Sequence, residues 1–326
     1  MFCPSTQRVL PEPSKPTFGL AEPGRRILLG LCVTICMFAY VSDASADIVI
    51  DGYNANANNR FSNNSGFILD GRNLSGVGLT NGGGFDGVVG VWATLISPNV
   101  VIAANHNQPN APIFFFPNND PASSALMYNV VASQRIGTTD LWLGRLDSPV
   151  DTSISHYAFA TEFLTGPVTA PDPTVVPAGS FQGDNGYVFG ISPSNNVATQ
   201  DQAVGRNIIT GYVEDVPFLD GTADFLVLNR DVSNPAGFEA QVFPGDSGAP
   251  FFIERNGSLL LLGINSALFG PIADPTGTGV SYIGNGAIQI QAFINASAVP
   301  EPSILLLVGL PAGLLAMRKF RKRKLS

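Results

Sequence analysis

Two histidines, His106 and His156, are the only imidazoles in the chain, and this scarcity limits the chemistry available to it. A metal site built on histidine needs three or four ligands, so carboxylates would have to supply the others. A Ser-His-Asp arrangement needs only one histidine, which acts as the general base. The composition therefore favours nucleophilic catalysis, and no metal ligand set and no cofactor are predicted.

The segment Gly245–Pro250, Gly-Asp-Ser-Gly-Ala-Pro, is the sharpest local pattern. Its glycines let the backbone bend and leave the hydroxyl of Ser247 open. The amides of Gly245 and Ser247 can then point at one spot and form an oxyanion hole. The nucleophile elbow of α/β-hydrolases is excluded because Ala249 stands in place of its second glycine. Taken alone, the segment is equally typical of a glycine-rich hairpin turn.

Two further residues stand at the ends of apolar strands. His106 follows the run Leu95–Ala104, where it could be a structural histidine or a base. Asp140 opens the run that ends at Leu146, and a carboxylate buried there is costly unless it has a partner. Asp140 is therefore predicted to be paired. His156 has no such setting and is interpreted as structural or exposed.

These segments together resemble the trypsin-like (chymotrypsin-fold) serine proteases. Gly245–Pro250 resembles the family's nucleophile motif, Leu95–His106 the strand and turn that end in its histidine, and Thr139–Leu146 its aspartate strand. Leu262–Ser266 resembles the strand that lines the substrate channel. The resemblance implies a catalytic triad of His106, Asp140 and Ser247, in which Ser247 attacks the carbonyl, His106 transfers the proton and Asp140 orients the imidazole.

The chain also departs from this family. Asn105 stands before His106 where alanine is usual. Gln241, six residues before Ser247, replaces the pocket aspartate of trypsin-like members, so Gln241 and Ser266 are predicted to line a neutral substrate pocket. Glu239 lies two residues away and would reverse that inference if the register differed. No Arg or Lys precedes Asp47–Gly52, so activation by the family's cleavage is not expected.

The elements that must position these residues are predicted to be strands. Gly, Pro and Asn clusters separate many short apolar runs, a pattern typical of a β-sandwich or barrel. The runs are Val88–Ile96, Asn99–Ala103, Pro112–Phe116, Asp140–Leu146, Gly186–Ile191, Phe225–Leu228 and Leu259–Ile264. With the resemblance, we expect an all-β protein of two six-stranded antiparallel β-barrels, about 47–165 and 166–298, with the active site between them. Ala287–Ile294 is predicted to close the domain as a short helix.

The segment Asp51–Gly84 is rich in Asn and Gly. It is interpreted as a long N-terminal arm or as a structural calcium loop. Asn outnumbers Asp there, so the ligand charge is low and calcium is the weaker interpretation.

The N-terminus has the pattern of an export signal over residues 1–46. Arg25 and Arg26 precede the apolar run Ile27–Val41, and Ala44–Ala46 supplies the small residues that signal peptidase requires. The run is shorter than the roughly 20 residues needed to span a bilayer. All three cysteines lie in this leader, so the exported domain is predicted to fold without disulfides.

The C-terminus, residues 299–326, resembles the PEP-CTERM sorting signal of Gram-negative bacteria. Val299–Ser303 contains Pro-Glu-Pro, the apolar run Ile304–Met317 follows it as a transmembrane helix, and a basic tail begins at Arg318. The resemblance implies a transient inner-membrane anchor, an exosortase-type processing enzyme and release to the cell surface or outside the cell. The alternative is a plain membrane anchor with a positive cytoplasmic stop.

The charge pattern completes the functional prediction. The chain has a net charge of −8, and between Asp47 and Pro302 it has seven arginines, 22 acidic residues and no lysine, which argues against a nucleic-acid partner. We expect a secreted serine endopeptidase acting on a protein or peptide substrate, with the polysaccharide matrix as a further partner. The alternatives are an inactive protease-like module that binds surface protein or exopolysaccharide, and a purely structural matrix protein.

Overall fold

The computed structural model describes residues 47–62, 64–80, 90–166, 181–193, 202–230, 237–270 and 275–298, and strands are the main regular structure in these ranges. The first strands and a short helix are β1 (Val49–Ile50), α1 (Ala55–Asn58), β2 (Val77–Thr80), β3 (Trp92–Ser97), β4 (Val100–Ala104), β5 (Ile113–Phe115), β6 (Leu126–Tyr128), β7 (Val130–Arg135), β8 (Leu141–Leu146) and β9 (Ala158–Phe159). They are followed by β10 (Asn185–Ile191), β11 (Gln202–Phe218), β12 (Gly221–Asn229), β13 (Ala240–Gln241), β14 (Pro250–Arg255), β15 (Ser258–Phe269), β16 (Gly277–Tyr282) and α2 (Ala287–Ser297).

The first sheet closes into a barrel. Its strand order is β6-β5-β2-β3-β4-β8-β7, and all of its pairings are antiparallel. β6 and β7 are separated only by Asn129, so they form one interrupted strand that pairs with β5 at one end and with β8 at the other. Counted in this way, six strands surround the barrel, and no edge is left unpaired.

The second sheet closes directly. Its order is β14-β10-β11-β12-β16-β15, and a further antiparallel pairing between β14 and β15 completes a six-stranded barrel. β9 adds a short parallel strand on the outside of β15, where Ala158 pairs with Leu260. The predicted fold class is therefore confirmed: two antiparallel barrels and one C-terminal helix, which extends three residues beyond the predicted Ile294. The boundary between the barrels near residue 165 stays a prediction.

The barrels are packed through one continuous apolar layer. Successive side chains of a strand point to opposite faces, so Val101 and Ala103 of β4 fill the first barrel while Ile102 and Ala104 face the seam. The seam cluster also contains Trp92 and, from the second barrel, aromatic and aliphatic residues that include Phe189, Phe252 and Ile264. Burial of both faces explains why β3 and β4 are nearly continuous apolar runs in the sequence.

The asparagines of the N-terminal arm act as caps and hydrogen-bond partners. Asn54 caps α1 with its side chain, and the Asn58 side chain donates to the Val204 carbonyl of the second barrel. Asn59 Oδ1 accepts hydrogen bonds from Tyr53 and Ser192. In the ranges that the structure describes, no three His, Cys, Asp or Glu side chains gather as they would around a metal ion. The asparagines therefore have a structural role in this arm; the calcium interpretation is untested.

The targeting segments at both ends lie outside the described residues, including the apolar run Ile304–Met317. Among the helices that the structure describes, none has the length and apolar character required to cross a bilayer. The export signal and the C-terminal sorting signal remain sequence-based predictions.

Candidate active site

The ends of two paired strands place His106 beside Asp140. β4 and β8 are antiparallel, with Ala104 opposite Leu141, so the residues that follow β4 meet the residue that precedes β8. His106 Nδ1 lies 2.8 Å from Asp140 Oδ2, and the His106 backbone N–H donates to Asp140 Oδ1 at 2.9 Å. The pairing predicted for Asp140 is thus seen in the structure, and an ionised Asp140 requires the proton of the neutral imidazole to be on Nδ1.

The two side chains of this pair differ in burial. The Asp140 side chain is 3% exposed and the His106 side chain 22% exposed. The buried carboxylate receives one hydrogen bond from the backbone and one from the imidazole, which offset its loss of hydration. Nε2 of the more exposed histidine has no hydrogen bond among the described residues, and a general base requires such an unoccupied nitrogen.

Asn105, the departure before His106, does not disturb this geometry. Its backbone N–H donates to the Asp140 carbonyl at 2.8 Å. Its side-chain oxygen accepts a hydrogen bond from Gln108 and so takes no part in the His106–Asp140 contact. The position needs only a backbone amide, which any residue other than proline supplies.

The turn that carries Ser247 is held by its own backbone. Gly245 and Gly248 have φ values of 105° and 86°, a region that L side chains rarely adopt. The Gly248 amide donates to the Asn265 carbonyl of β15, and the Ala249 amide donates to the Asp246 carbonyl. A Cβ on Gly248 would lie 3.2 Å from the Ala104 amide nitrogen. The turn therefore packs against the end of β4, two residues before His106.

Two amides of this turn have no acceptor among the described residues. The N–H groups of Phe243, Asp246, Gly248 and Ala249 all donate within the protein, and residue 244 is proline. The amides of Gly245 and Ser247 make no such bond. These are the two donors predicted for the oxyanion hole, and the hydrogen bonding of the turn leaves both available to a ligand oxygen.

Ser247 itself is half-buried. No hydrogen bond joins its hydroxyl to His106 among the described residues. Hydrogen bonds between catalytic groups are often long without substrate and tighten in the complex. The structure thus joins His106 to Asp140 directly, and the packing of Gly248 against Ala104 places the Ser247 turn beside the end of β4.

Asp246, next to Ser247, is fully buried and anchors the turn. Its Oδ1 accepts from the Ile191 amide at 2.7 Å and its Oδ2 from the Phe243 amide at 2.9 Å. A Cβ on Gly190 would lie 2.6 Å from Oδ1, so only glycine leaves room for the carboxylate. Burial, reinforced by the nearby charge of Asp47, raises the pKa of Asp246 well above its usual value against the opposing effect of these amides.

The raised pKa of Asp246 predicts a pH-dependent stability. The folded protein binds this proton more tightly than the unfolded chain, so the stabilisation is complete below the ordinary aspartate pKa of 3.8 and is lost as pH rises through the raised value. Thermal unfolding of Ser247→Ala across pH 4 to 8 measures the loss. The same curve for Ser247→Ala/Asp246→Asn is then subtracted. The difference cancels the contribution of the other carboxylates to the pH dependence, among them Asp147 and Asp151, whose pKa values are lowered by hydrogen bonds. Parallel curves for the two proteins would contradict this assignment.

Of the two predicted pocket residues, Ser266 lies in β15 of the second barrel and Gln241 lies in β13, which pairs with β1. Gln241 is buried in β13, and its Nε2 donates to the Gly277 carbonyl and to Thr278 Oγ1 of β16, at 3.2 Å and 2.9 Å. Its Oε1 is buried without a partner in the described part of the chain. The Ser266 hydroxyl contacts the Ile264 carbonyl at 3.4 Å. The carbonyl of Glu239 instead accepts from the Asp51 amide in the arm. Gln241 is thus the residue beside β16.

The remaining histidine is far less constrained. His156 is exposed and lines a shallow groove of about 420 Å³ with residues of the arm and of the β14–β15 turn. Its side chain has no charged partner among the described residues, in agreement with its interpretation as structural or exposed.

One aromatic residue beside His106 was not predicted. The Phe218 ring contacts the imidazole edge-to-face, with centroids 5.9 Å apart and planes at 77°. Phe218 lies at the end of β11, far from the three motifs in sequence, and no local pattern marks it. Its contact with His106 joins the two barrels and therefore depends on tertiary packing.

Comparison with known proteins gives no family assignment. No protein-family profile matches the chain, and no curated protein matches it. A solved structure of a mutant of human heparin binding protein (CAP37) is similar, with 14% identity and a TM-score of 0.47, over 71% of this chain and 95% of that chain. Similarity at this level assigns neither an activity nor a ligand, so the function is argued from the site itself.

Proposed function

We propose that the chain is a serine endopeptidase that hydrolyses peptide bonds through an acyl-enzyme. The observation that carries the proposal is the buried Asp140 hydrogen-bonded to His106 beside the turn of Ser247. In that turn Ser247 lies between Gly245 and Gly248, and the amides of Gly245 and Ser247 have no acceptor among the described residues. Ser247 attacks the scissile carbonyl, and its proton passes to His106 Nε2 and then to the leaving amine. Water then attacks the acyl-enzyme and gives its proton to His106, which passes a proton to Ser247 Oγ as the ester bond breaks and the acid is released.

The two free amides give this reaction its electrostatic stabilisation. When the carbonyl carbon becomes tetrahedral, negative charge develops on its oxygen, and the Gly245 and Ser247 N–H groups are the donors available to it. The loss of one such donor typically slows an enzyme by about 10²–10³-fold. A module that only binds a ligand has no need to combine a fixed imidazole with an unoccupied pair of amides, and this favours the enzyme over the binding alternative.

A fluorophosphonate probe tests the proposal because it phosphonylates only an activated serine. We expect one adduct on Ser247 at neutral pH, located by peptide mass spectrometry. Ser247→Ala should remove it, whereas Ser258→Ala, which replaces an exposed serine on β15, should leave it unchanged. Folded wild-type protein that stays unlabelled would refute catalysis and leave the inactive binding module as the interpretation.

A neutral pocket predicts the cleavage profile. The amide of Gln241 replaces a carboxylate next to β16, so no fixed negative charge is expected to select Arg or Lys on the acyl side of the cleaved bond. Cleavage of a mixed peptide library, read by mass spectrometry, should show no enrichment of these two residues over neutral ones. A strong preference for Arg or Lys would assign Glu239 or another carboxylate to the pocket.

The proposal includes delivery outside the cytoplasm. The leader pattern of residues 1–46 and the Pro-Glu-Pro, apolar and basic order of residues 299–326 support export followed by sorting to the surface. An N-terminal sequence beginning at Asp47 in protein recovered from the cell surface or medium would support this, and retention of the leader there would contradict it.

A further inference from the structure

We infer that Phe218 is a positioning residue for His106, supplied by the second barrel; the inference rests on the proposed function, in which His106 is the general base. Among the described side chains, only Asp140 forms a hydrogen bond with the His106 imidazole, through Nδ1. A single bond of this kind does not fix the tilt of the ring about its bond to Cβ. Phe218 contacts the same ring edge-to-face at 5.9 Å and is only 6% exposed. The imidazole thus has the carboxylate on one side and an aromatic ring on another.

Phe218 is itself held by aromatic neighbours. Its ring contacts Phe225 of β12 at 5.3 Å and 88°, and Phe225 contacts Phe269 of β15 at 6.1 Å and 89°. Phe225 is fully buried. These edge-to-face contacts pair the positive edge of one ring with the negative face of the next. Because these contacts hold the Phe218 ring in place, the ring limits the movement of the His106 imidazole that packs against it.

The hairpin that carries Phe218 is also fixed to the turn before Asp140. In the tip of the β11–β12 hairpin, Phe218 pairs with Gly221, and the Thr222 amide donates to the Thr138 carbonyl at 3.1 Å. A Cβ on Gly221 would lie 2.0 Å from that carbonyl oxygen, so the approach requires glycine. Asp140 and Phe218, the two residues that contact the imidazole, are therefore both positioned by residues 138–140.

Arg135 completes this attachment. Its guanidinium forms an ion pair with Asp220 at the hairpin tip, and its Nε donates to the Thr139 carbonyl at 2.7 Å. Asp220 is exposed, so this pair contributes little by itself. It does connect the tip to the residue next to Asp140. The catalytic dyad of the first barrel is thus aligned by a hairpin of the second.

Saturation kinetics with the fluorophosphonate distinguish positioning from binding. Phe218→Leu keeps an apolar side chain but removes the ring, and we expect it to lower the maximal labelling rate about 10–100-fold because the base is misplaced. The probe concentration at half-maximal rate should stay near the wild-type value. Phe218→Tyr, which keeps the ring, should recover most of the rate, and Leu219→Ala, at the exposed neighbour, should match wild type. A wild-type rate in Phe218→Leu would overturn the inference.

A second measurement does not need catalysis. Only two histidines are present, so ¹⁵N-histidine labelling gives NMR signals from His106 and His156 alone, and His156→Gln assigns them. We expect Phe218→Leu to broaden or shift the His106 signals and to leave those of His156 unchanged. If wild type shows no labelling yet this change occurs, the proposed function fails and the positioning stands. Unchanged His106 signals would refute the positioning even in an active enzyme.

Discussion

Under the proposed mechanism, Asp140→Asn is expected to slow turnover about 10³–10⁴-fold at neutral pH. In the wild-type site both oxygens of Asp140 accept hydrogen bonds, one from the His106 backbone N–H and one from Nδ1. Asparagine has only one oxygen for these two donors. Its NH₂ group must therefore face either the backbone amide or the imidazole.

The tautomer explains the size of this effect. If the NH₂ group faces Nδ1, that nitrogen becomes the acceptor and the proton moves to Nε2. His106 can then no longer take the proton of Ser247, since Nε2 is already occupied. If the amide is reversed, the His106 backbone N–H loses its acceptor and the turn is strained. Either arrangement also removes the negative charge that stabilises the imidazolium.

Kinetics and unfolding together test this prediction. The maximal fluorophosphonate labelling rate should fall by the stated factor, while Asp147→Asn, which replaces an exposed carboxylate on the same barrel, should retain the wild-type rate. Thermal unfolding by circular dichroism shows whether Asp140→Asn keeps the fold. A folded Asp140→Asn protein with the wild-type rate would remove Asp140 from the mechanism.

The site motifs could be predicted because their local chemistry is unusual. A carboxylate at the start of the apolar strand Leu141–Leu146 needs a partner, and a serine between glycines suits an exposed nucleophile turn. The strand runs ending near Ala104 and Leu146 were found because both faces of those strands are buried, which leaves a continuous apolar signal. The distances between the motifs depend on barrel closure and could not be predicted from any single segment.

The longest strand, β11, could not be predicted from an apolar pattern in its sequence. β11, Gln202–Phe218, contains Gly211 and Pro217, and its pairing with β12 shifts register twice, between Ile209 and Gly211 and between Val213 and Val216. Each shift moves later side chains to the opposite face, so no simple alternation of apolar and polar residues survives. The contact of Phe218 with His106 therefore could not be predicted from composition or periodicity. The backbone partners of Asp246 depend on the same tertiary packing.

Replacing Arg60 by methionine is expected to destabilise the protein by about 3–5 kcal/mol, because several buried oxygens lose a hydrogen-bond donor at once. Arg60 is 1% exposed, and burial lowers its pKa to about 10, so it stays charged at neutral pH. Its guanidinium donates to the carbonyls of Leu74 and Val77 at 2.5 Å and 2.8 Å, and to the side chains of Asn119 and Gln202.

These acceptors come from different parts of the fold. Leu74 and Val77 lead into and begin the first barrel, Asn119 belongs to a loop after β5, and Gln202 begins β11 of the second barrel. One side chain in the N-terminal arm therefore satisfies buried oxygens of both barrels. Methionine fills a similar volume but removes the guanidinium from all four acceptors. The Leu74 carbonyl keeps a hydrogen bond from the Val77 amide, and each buried group left unsatisfied costs about 1–3 kcal/mol. Relief of the desolvated charge offsets part of that cost, which keeps the expected total near the stated range.

Urea unfolding in the Ser247→Ala background measures this loss without self-digestion. Arg72→Met is the matched control, because Arg72 lies in the same arm, is 33% exposed and pairs with Glu254 at the surface. Such a pair contributes at most about 1 kcal/mol. Arg60→Lys should recover only part of the stability, since an ammonium on a flexible stem cannot reach four acceptors in the plane of a guanidinium. Equal losses for Arg60→Met and Arg72→Met would show that the arm does not connect the barrels through Arg60.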